Sequence, residues 1–499
     1  MAFRATFLAV VGVTLIGHLL ALAFEIVTAA RFGTGADADA LAFSLVLVVT
    51  LTGEVAGWVS TIVVPLYVEA RTTTPAAAAA FLRRVLTAVI VGGGALAAAL
   101  AFGAPAIVAA LAPALGTRGV AVLRAFAPLL LLVPLAGLFA AALHAHGRFV
   151  AASFRQLAWS GGGLVGVVFL AGALGPVSAP LGMLAGTAVF ALVLAIALPP
   201  VRDARERADG PTLPRLASLL LPLVLLSAAA TVNVAVERAL AARLPAGSLA
   251  ALTYAYRLLN FPLMLFVVNA TAMLLPTLAG HAARGEQAAV GALAGRALRL
   301  AVVFAVPLAA LGIALAEPLT HVLLERGAFT AASTAATATA IAWYAPGVIA
   351  TPLVQVLFRA YQALHALWPL AWTAGATIAI NVVMMPALTA ALGFRGLALA
   401  ASLAGFVGVA LMLLGLRTRA PEIARALATR STAAVLAAGV AAAGAAWLAG
   451  AMTSAPVPAL LGGVAAGVAV YAGALAMLAP AEARAALALL VPAVSGRTA

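Results

Sequence analysis

Apolar stretches of about twenty residues or more recur along the whole chain. Each is long enough to cross a hydrocarbon core of ~30 Å as an α-helix, since a helix rises ~1.5 Å per residue. Of the 499 residues, 65% are hydrophobic and only 8% are charged, so a water-soluble exterior cannot be assembled from this chain. The sequence therefore predicts an all-α polytopic membrane protein.

Breaks at glycine, proline and clusters of charge divide the chain into about fourteen predicted transmembrane helices. Twelve of these form two six-helix lobes, which we expect to be related by a pseudo-two-fold axis, and two more helices follow. The predicted organisation is an N-terminal lobe at 1–200, a cytoplasmic linker at 201–215, a C-terminal lobe at 216–417, a cytoplasmic loop at 418–430, and two extra helices with a short tail at 431–499.

The arginines are distributed unequally between the two sides of the membrane. One side holds both termini and the even-numbered connections and carries twenty arginines, whereas the other side carries seven. By the positive-inside rule, both termini are predicted to be cytoplasmic, and the chain to be a multi-pass protein of a bacterial inner membrane. The net charge of +14 is explained in the same way, so we expect no nucleic-acid partner. Cysteine is absent, which excludes disulfides and thiolate metal sites.

The chain repeats itself at an offset of about 212 residues. Glu25 and Glu237 occupy the same register, and Leu157-Ala158-Trp159 matches Leu370-Ala371-Trp372. Ala173-Leu174-Gly175 likewise matches Ala391-Leu392-Gly393. A unit of six helices gives both copies the same orientation, which is the parallel-repeat arrangement of alternating-access transporters. The alternative to the transporter interpretation is that the repeat arose by gene duplication in a membrane protein without transport activity.

Several ionisable side chains fall inside predicted spans, where a charge costs ~2.5–3.5 kcal/mol or more and therefore faces a cavity or a partner. His18 and Glu25 are two helical turns apart and share one face of the first span. Arg257 and Asn260 share a face of the eighth span. These pairs are predicted to line a polar cavity, although a hydrogen-bonded packing role for His18 is an open alternative.

Two further polar positions allow both a functional and a structural interpretation. Glu237 can titrate as a proton carrier or bind a cation, or it can form an ion pair with the neighbouring Arg238. Asn381 can bind a ligand or form a hydrogen bond between helices. We find no P-loop, HExxH or GxSxG motif, and we expect a transporter rather than an enzyme, without a bound cofactor.

The sequence resembles the MurJ/MviN-type lipid II flippases of the multidrug/oligosaccharidyl-lipid/polysaccharide exporter superfamily over the first twelve predicted spans. The resemblance is carried by short motifs at the ends of the spans. These are Ala30-Arg31-Phe32-Gly33-Thr34-Gly35 with Asp39, Val64-Pro65, Leu244-Pro245-Ala246-Gly247-Ser248, Tyr254-Ala255-Tyr256-Arg257-Leu258, Phe261-Pro262, Leu275-Pro276, Glu325-Arg326-Gly327-Ala328-Phe329 and Gly396-Leu397-Ala398-Leu399-Ala400. That family also has fourteen helices, which are arranged as two six-helix lobes followed by two extra helices.

The resemblance implies a basic cavity that pairs with a pyrophosphate headgroup, which arginine binds in a bidentate manner. Five substrate-binding residues are predicted: His18, Glu25, Asp39, Arg257 and Asn260. Of these, Glu25, Asp39 and Arg257 match the family, whereas Asn260 replaces an acidic residue of the family. The chain departs from the family where arginines are expected in the first two spans. At those positions it has His18, Phe24, Leu51 and Thr52.

The resemblance also implies four candidate cation-coupling residues, with Na⁺ or H⁺ as the coupling ion. They are Glu237, Thr377, Asn381 and Ser402. No metal site is predicted with certainty. The expected activity is translocation of lipid II or a related lipid-linked oligosaccharide from the inner to the outer leaflet. The expected partners are this lipid-linked saccharide, the bilayer and cell-envelope synthesis proteins, and the expected state is a monomer.

Three other function classes are left open by the sequence. A degenerate, non-transporting scaffold for envelope synthesis is favoured by the missing arginines. A cation-coupled drug or polysaccharide exporter of the same superfamily fits the acidic residues within the spans. A membrane-embedded transferase is disfavoured, because no cluster of carboxylates occurs in a loop.

Overall fold

The computed structural model describes residues 2–58, 63–146, 148, 150–198, 230–418 and 420–490. Within these ranges the secondary structure is helical, and no β-strand occurs. The all-α polytopic fold is therefore confirmed. The predicted linker at 201–215 and the first part of the predicted seventh span lie outside the described residues.

The chain divides into two compact units, and the first comprises Met1–Ala250 and Arg326–Thr330. Its helices, in chain order, are α1 (Ala2–Phe32), α2 (Ala36–Trp58), α3 (Val64–Thr73), α4 (Pro75–Leu111), α5 (Gly116–Phe126), α6 (Leu129–Ala145), α7 (Val150–Ser153), α8 (Arg155–Leu174), α9 (Ser178–Ala197) and α10, whose described part is 230–241.

The second unit comprises Ala251–Glu325 and Ala331–Ala499. Its helices are α11 (Ser248–Ala283, which begins in the first unit), α12 (Gln287–Ala314), α13 (Ala316–Leu324), α14 (Ala331–Ala363), α15 (Leu367–Leu392), α16 (Phe394–Leu416), α17 (Pro421–Arg425), α18 (Arg430–Ala451), α19 (Pro456–Leu478) and α20 (Pro480–Leu490). The lobe boundaries derived from the sequence stay a prediction.

Eleven stretches of the described chain are long and apolar enough to cross a membrane. One of them, 150–197, contains the two successive helices α8 and α9. Predicted spans and observed helices agree closely where glycine or proline ends a helix. At α4, however, the helix begins at Pro75, whereas the third span predicted from the sequence covers 85–111. The Thr74 side chain accepts a hydrogen bond from the Ala77 amide, and Pro75 occupies the first helical position, so the helix begins before the Arg83-Arg84 pair and continues through it.

One matched position of the sequence repeat also has a matched backbone conformation. Gly175 ends α8 with φ +55°, and its counterpart Gly393 ends α15 with φ +60°. Both glycines have the left-handed conformation that is favourable for glycine, and each allows the next helix to start at once. The matched glycines therefore form equivalent helix junctions in the two copies.

Helices α8 and α9 pack with their backbones in direct contact. Gly162 and Gly166 of α8 face Gly182 and Gly186 of α9. A Cβ atom added at any of the four would overlap a backbone oxygen of the other helix. Because lipid tails are as apolar as the side chains, membrane helices associate through such close van der Waals packing, for which small residues are needed.

The two extra helices pack on the second unit. The Tyr471 hydroxyl of α19 donates a hydrogen bond to the Val303 carbonyl of α12 at 2.7 Å, and Gly439 of α18 lies against Val306. The tail predicted after the last span includes a further helix, α20. It packs on α12, where Glu482 lies 4.0 Å from Arg299.

Candidate functional site

Asp39 lies in the first turn of α2 and is buried in the first unit. One of its carboxylate oxygens accepts a hydrogen bond from the Gly247 amide at 2.6 Å, and the other accepts one from the Ala250 amide at 2.8 Å. These amides belong to the start of α11, where an acidic side chain satisfies free N–H groups and the positive end of the helix dipole. The geometry shows Asp39 as a cap for α11, and its predicted contact with substrate stays a prediction.

The loops around this cap are held together by backbone contacts. The Ala328 amide donates to the Ala30 carbonyl at 2.8 Å, and Gly327 approaches the same carbonyl with φ +60°. Gly33 lies against the Ala328 carbonyl, and at neither glycine is there space for a Cβ atom. Three of the motifs that carry the family resemblance therefore meet at one junction of the first unit.

His18 and Glu25 are both half-buried on α1. The His18 Nδ1 atom lies 2.8 Å from the Thr14 carbonyl, which makes Nδ1 the donor and fixes the tautomer of the ring. This hydrogen bond uses only one of the two ring nitrogens of His18. A packing role through Nδ1 is therefore compatible with a second role in which Nε2 faces a polar cavity. The helix places the two residues two turns apart, as the sequence predicts.

Arg257 and Asn260 lie one turn apart on α11, and both are half-buried. The Asn260 amide group donates to the Tyr256 carbonyl at 2.8 Å. Tyr256 itself packs edge-on against Tyr344 of α14, with ring centroids 5.9 Å apart. The Tyr pair therefore positions the part of α11 that carries Arg257, because an aromatic contact of this kind restricts helix rotation.

Glu237 and Arg238 form an ion pair in the first unit, with an N–O distance of 3.2 Å. Both side chains are largely buried, with exposures of 16% and 8%. The ion-pair interpretation of Glu237 is therefore supported by its geometry. A buried pair is stable as a pair, and loss of one partner leaves an uncompensated charge.

The other three candidate cation-coupling residues lie in the second unit. Thr377 and Asn381 are one turn apart on α15, and Thr377 faces Gly408 of α16. The Thr377 hydroxyl donates to the Thr373 carbonyl at 2.8 Å. Asn381 is buried, with 6% exposure. Thr377 therefore keeps hydroxyl lone pairs at this interface, and a hydroxyl that donates in this way can still accept or coordinate.

Ser402 is buried on α16, where it contacts α14. Its hydroxyl lies 2.9 Å from the Trp343 carbonyl and 3.3 Å from the Tyr344 carbonyl. Gly347 packs directly on Ser402, so α14 and α16 are in close contact there. Within the described chain, no three His, Asp or Glu side chains come together as a metal site.

The sequence prediction missed a cavity in the first unit. Its volume is about 130 Å³, and its walls come from α2, α6, α8 and α9. Residues of different character line it: Thr52 and Gly53 of α2, Arg155, Gln156 and Trp159 of α8, and Thr187 of α9. In the sequence, Arg155 is an isolated cation at the start of an apolar span, and this is the one sequence feature that could have indicated the cavity.

The chain is similar to known proteins in sequence. The family model for lipid II flippase MurJ matches residues 28–460. A probable lipid II flippase MurJ of Bdellovibrio bacteriovorus is 32% identical over 184 residues, which are 37% of this chain and 35% of that protein. Lipid II flippase MurJ of Burkholderia cenocepacia is 28% identical over 232 residues, or 46% and 43% of the two chains. The matched segments thus span less than half the length of these curated relatives.

The fold is similar to solved transporter structures. Lipid II flippase MurJ in an inward closed conformation superposes with a TM-score of 0.78 at 19% identity, covering 93% of this chain and 97% of that chain. An inward-facing multidrug resistance MATE family transporter of the MOP superfamily gives 0.69 at 15% identity, covering 82% and 94%. At these identities the likeness concerns the fold alone.

Proposed function

Because the chain belongs to the lipid II flippase MurJ family, we propose that it moves lipid II, or a related lipid-linked oligosaccharide, from the inner to the outer leaflet by alternating access. The observation that carries this proposal is the family match over residues 28–460. The two compact units and the ionisable residues on α1 and α11 are consistent with it.

In this proposal Arg257 pairs with the pyrophosphate of the substrate, and His18 assists. An arginine is suited to this role because its planar guanidinium makes two parallel hydrogen bonds to a phosphate. Glu25 and Asn260 lie near these cations on their own helices and orient the headgroup. Asp39 contributes by holding the start of α11.

The proposed location is the bacterial inner membrane with both termini in the cytoplasm. The excess of arginine on the side of the termini supports this orientation. The proposed protein is a transporter without enzymatic chemistry, and its energy comes from an ion gradient or from consumption of the product. Thr377, Asn381, Ser402 and Glu237 are the proposed coupling residues, with Na⁺ or H⁺ as the ion.

The test is the exposure of lipid II on the outer face of intact cells. The host flippase is depleted, this protein is expressed, and exposed lipid II is cleaved by an externally added hydrolase. Restored cleavage supports the flippase function. If cleavage is not restored although the protein is folded in the membrane, lipid II is excluded as substrate, and another lipid-linked oligosaccharide or the scaffold role leads.

Arg257→Gln is the informative variant in this assay. We expect at least a ~10-fold loss of cleavage, because a hydrogen-bonded charged contact is worth ~1.5–3 kcal/mol. Arg395→Gln is the matched control, since Arg395 is an exposed arginine of the same unit. Wild-type cleavage in Arg257→Gln would remove Arg257 from the mechanism.

A second candidate function is cation-coupled export of a drug or polysaccharide. The hydroxyl and amide groups of α15 and α16 favour it, because neutral oxygens are the ligands that alkali cations require. Sodium- or proton-dependent efflux of cationic dyes by the protein, without restored lipid II exposure, would establish this function instead.

A further inference from the structure

The cavity of the first unit contains one charged side chain among the described residues that line it, and this side chain is Arg155. The guanidinium is exposed to the cavity and forms no hydrogen bond or ion pair with a described residue. Three other arginines of the unit differ in this respect: Arg148 donates to the Ala197 carbonyl, Arg124 donates to the Ala101 carbonyl, and Arg118 lies 3.5 Å from Asp37.

The position of Arg155 in its helix is electrostatically unfavourable without a ligand. Arg155 is the first residue of α8, where the helix dipole is positive and favours anions over cations. The N-cap residue is Phe154, which offers no side-chain acceptor to the free amides. The guanidinium carries a positive charge, and the helix N-terminus carries a partial positive charge. Together they create a positive potential that stabilises a bound anion.

The size and lining of the cavity define the class of anion. A volume of about 130 Å³ is far above the ~10–15 Å³ that one water molecule needs, and it accommodates a phosphate or diphosphate group. Trp159 lies one turn after Arg155 on the same face of α8, and its indole N–H is a donor. Gln156 is held in place by its hydrogen bond to Ser160 at 2.8 Å. No acidic residue is among those lining the cavity in the described chain.

We infer that Arg155 is a binding residue for the diphosphate of the lipid-linked substrate, in the cavity between α2, α6, α8 and α9. This inference rests on the proposed flippase function and adds a substrate contact in the first unit. Arginine suits the role because it makes two parallel hydrogen bonds to phosphate oxygens, which a lysine ammonium cannot do.

The experiment measures equilibrium binding of undecaprenyl diphosphate to the full chain in lipid nanodiscs. Arg155→Gln is expected to weaken binding at least ~10-fold, and Arg155→Lys to weaken it by less, because lysine keeps the charge but not the planar geometry. Arg84→Gln is the matched control, since Arg84 is an exposed arginine of the same unit and does not line the cavity. It is expected to bind like the wild type.

A relocated charge makes the test specific for the cavity. Thr52 lies in the wall formed by α2, so Thr52→Arg in the Arg155→Gln background places a guanidinium in the same space. We expect this double variant to recover most of the lost affinity. In the unmutated protein, undecaprenyl diphosphate is expected to slow the reaction of Arg155 with phenylglyoxal, as mapped by mass spectrometry, which tests the site even if a variant does not fold.

Two results would overturn the inference. One is wild-type affinity for undecaprenyl diphosphate in Arg155→Gln together with no protection from phenylglyoxal. The other is displacement of the diphosphate by an equal concentration of phosphatidylglycerol, which would make the cavity a site for bulk phospholipid headgroups. The flippase function is judged separately by lipid II exposure in cells, so a failure there with intact diphosphate binding concerns the function and not this site.

Discussion

Two helix pairs that correspond in the sequence repeat pack by different means. In the first unit, α8 and α9 meet through Gly162, Gly166, Gly182 and Gly186, with backbone directly against backbone. In the second unit, α15 and α16 meet where Thr377 lies against Gly408. In the first pair each of these glycines lies against a backbone oxygen, whereas in the second pair Gly408 lies against the Thr377 side chain, whose hydroxyl donates to the Thr373 carbonyl. The two corresponding helix pairs therefore keep the same pairing but pack through different contacts.

The largest effect is expected from filling the glycine contact. Gly182→Val places a side chain where a Cβ atom already overlaps the Gly162 carbonyl. We expect a loss of ~3 kcal/mol or more of unfolding free energy, because α8 and α9 must separate to relieve the overlap. Thermal unfolding and the yield of monodisperse protein in detergent measure this loss.

Gly375→Val is the control for that prediction, since Gly375 of α15 has open space around its Cβ position. It is expected to unfold near the wild-type temperature. Equal stability of both variants would show that the α8–α9 backbone contact does not determine packing in the first unit.

An intermediate effect is expected at the second helix pair, α15 and α16. If α15 and α16 bind the coupling ion, sodium stabilises the wild-type protein relative to choline, by ~2.7 kcal/mol when sodium is 100-fold above its dissociation constant. Asn381→Leu is expected to abolish this stabilisation and leave the protein folded. Thr339→Val is the control, since Thr339 is a half-buried threonine of α14 whose hydroxyl donates to the Ala335 carbonyl. A sodium shift that persists in Asn381→Leu would move the ion site away from this pair.

The smallest effects concern how the corresponding helices α4 and α12 begin. The Thr74 side chain caps α4, and Thr74→Ala is expected to cost ~1 kcal/mol at any pH between 4 and 9. Glu286 precedes α12 without capping it and instead bonds to Arg284 at 2.8 Å and to His281. The hydrogen bonds from Arg284 and His281 lower the pKa of Glu286 from its ordinary value to about 2.

A lowered pKa means that the ionised carboxylate stabilises the folded state. The contribution of Glu286 is therefore present above its ordinary pKa and is lost as the pH falls toward 2. We expect the melting temperatures of wild type and Glu286→Gln to differ slightly at pH 7 and to converge below pH 4. A gap that stays constant with pH would contradict the ion cluster, and a pH-dependent gap in Thr74→Ala would contradict the capping argument.

Hydropathy predicted the helices because each apolar segment must satisfy its backbone hydrogen bonds internally in a membrane. The start of α4 was missed because the helix continues through the charged Arg83-Arg84 pair to the Thr74 cap, and a pair of charges does not by itself end a helix. The Glu237–Arg238 ion pair could be predicted from the sequence, because the two residues are adjacent. The capping of α11 by Asp39 could not be predicted, because the Gly247 amide that it accepts from lies 208 residues away in the sequence.

The cavity around Arg155 was unpredictable for a similar reason. Its walls come from four helices, and a sequence pattern describes only one helix face at a time. The roles of His18, Glu25, Arg257 and Asn260 in substrate binding stay predictions from the family resemblance, whereas the positions of these residues on α1 and α11 follow directly from helical periodicity.

The segment Arg326–Thr330 belongs to the first unit although the residues on both sides of it belong to the second. The Ala30 carbonyl finds its donor in this segment, at Ala328. A gene fragment that ends after Ala250 would encode a first unit in which that carbonyl lacks the Ala328 donor, so the two halves of the chain are not interchangeable parts. Attempts to build chimeras by exchanging one half between relatives must therefore carry this short insert along with the half that it completes.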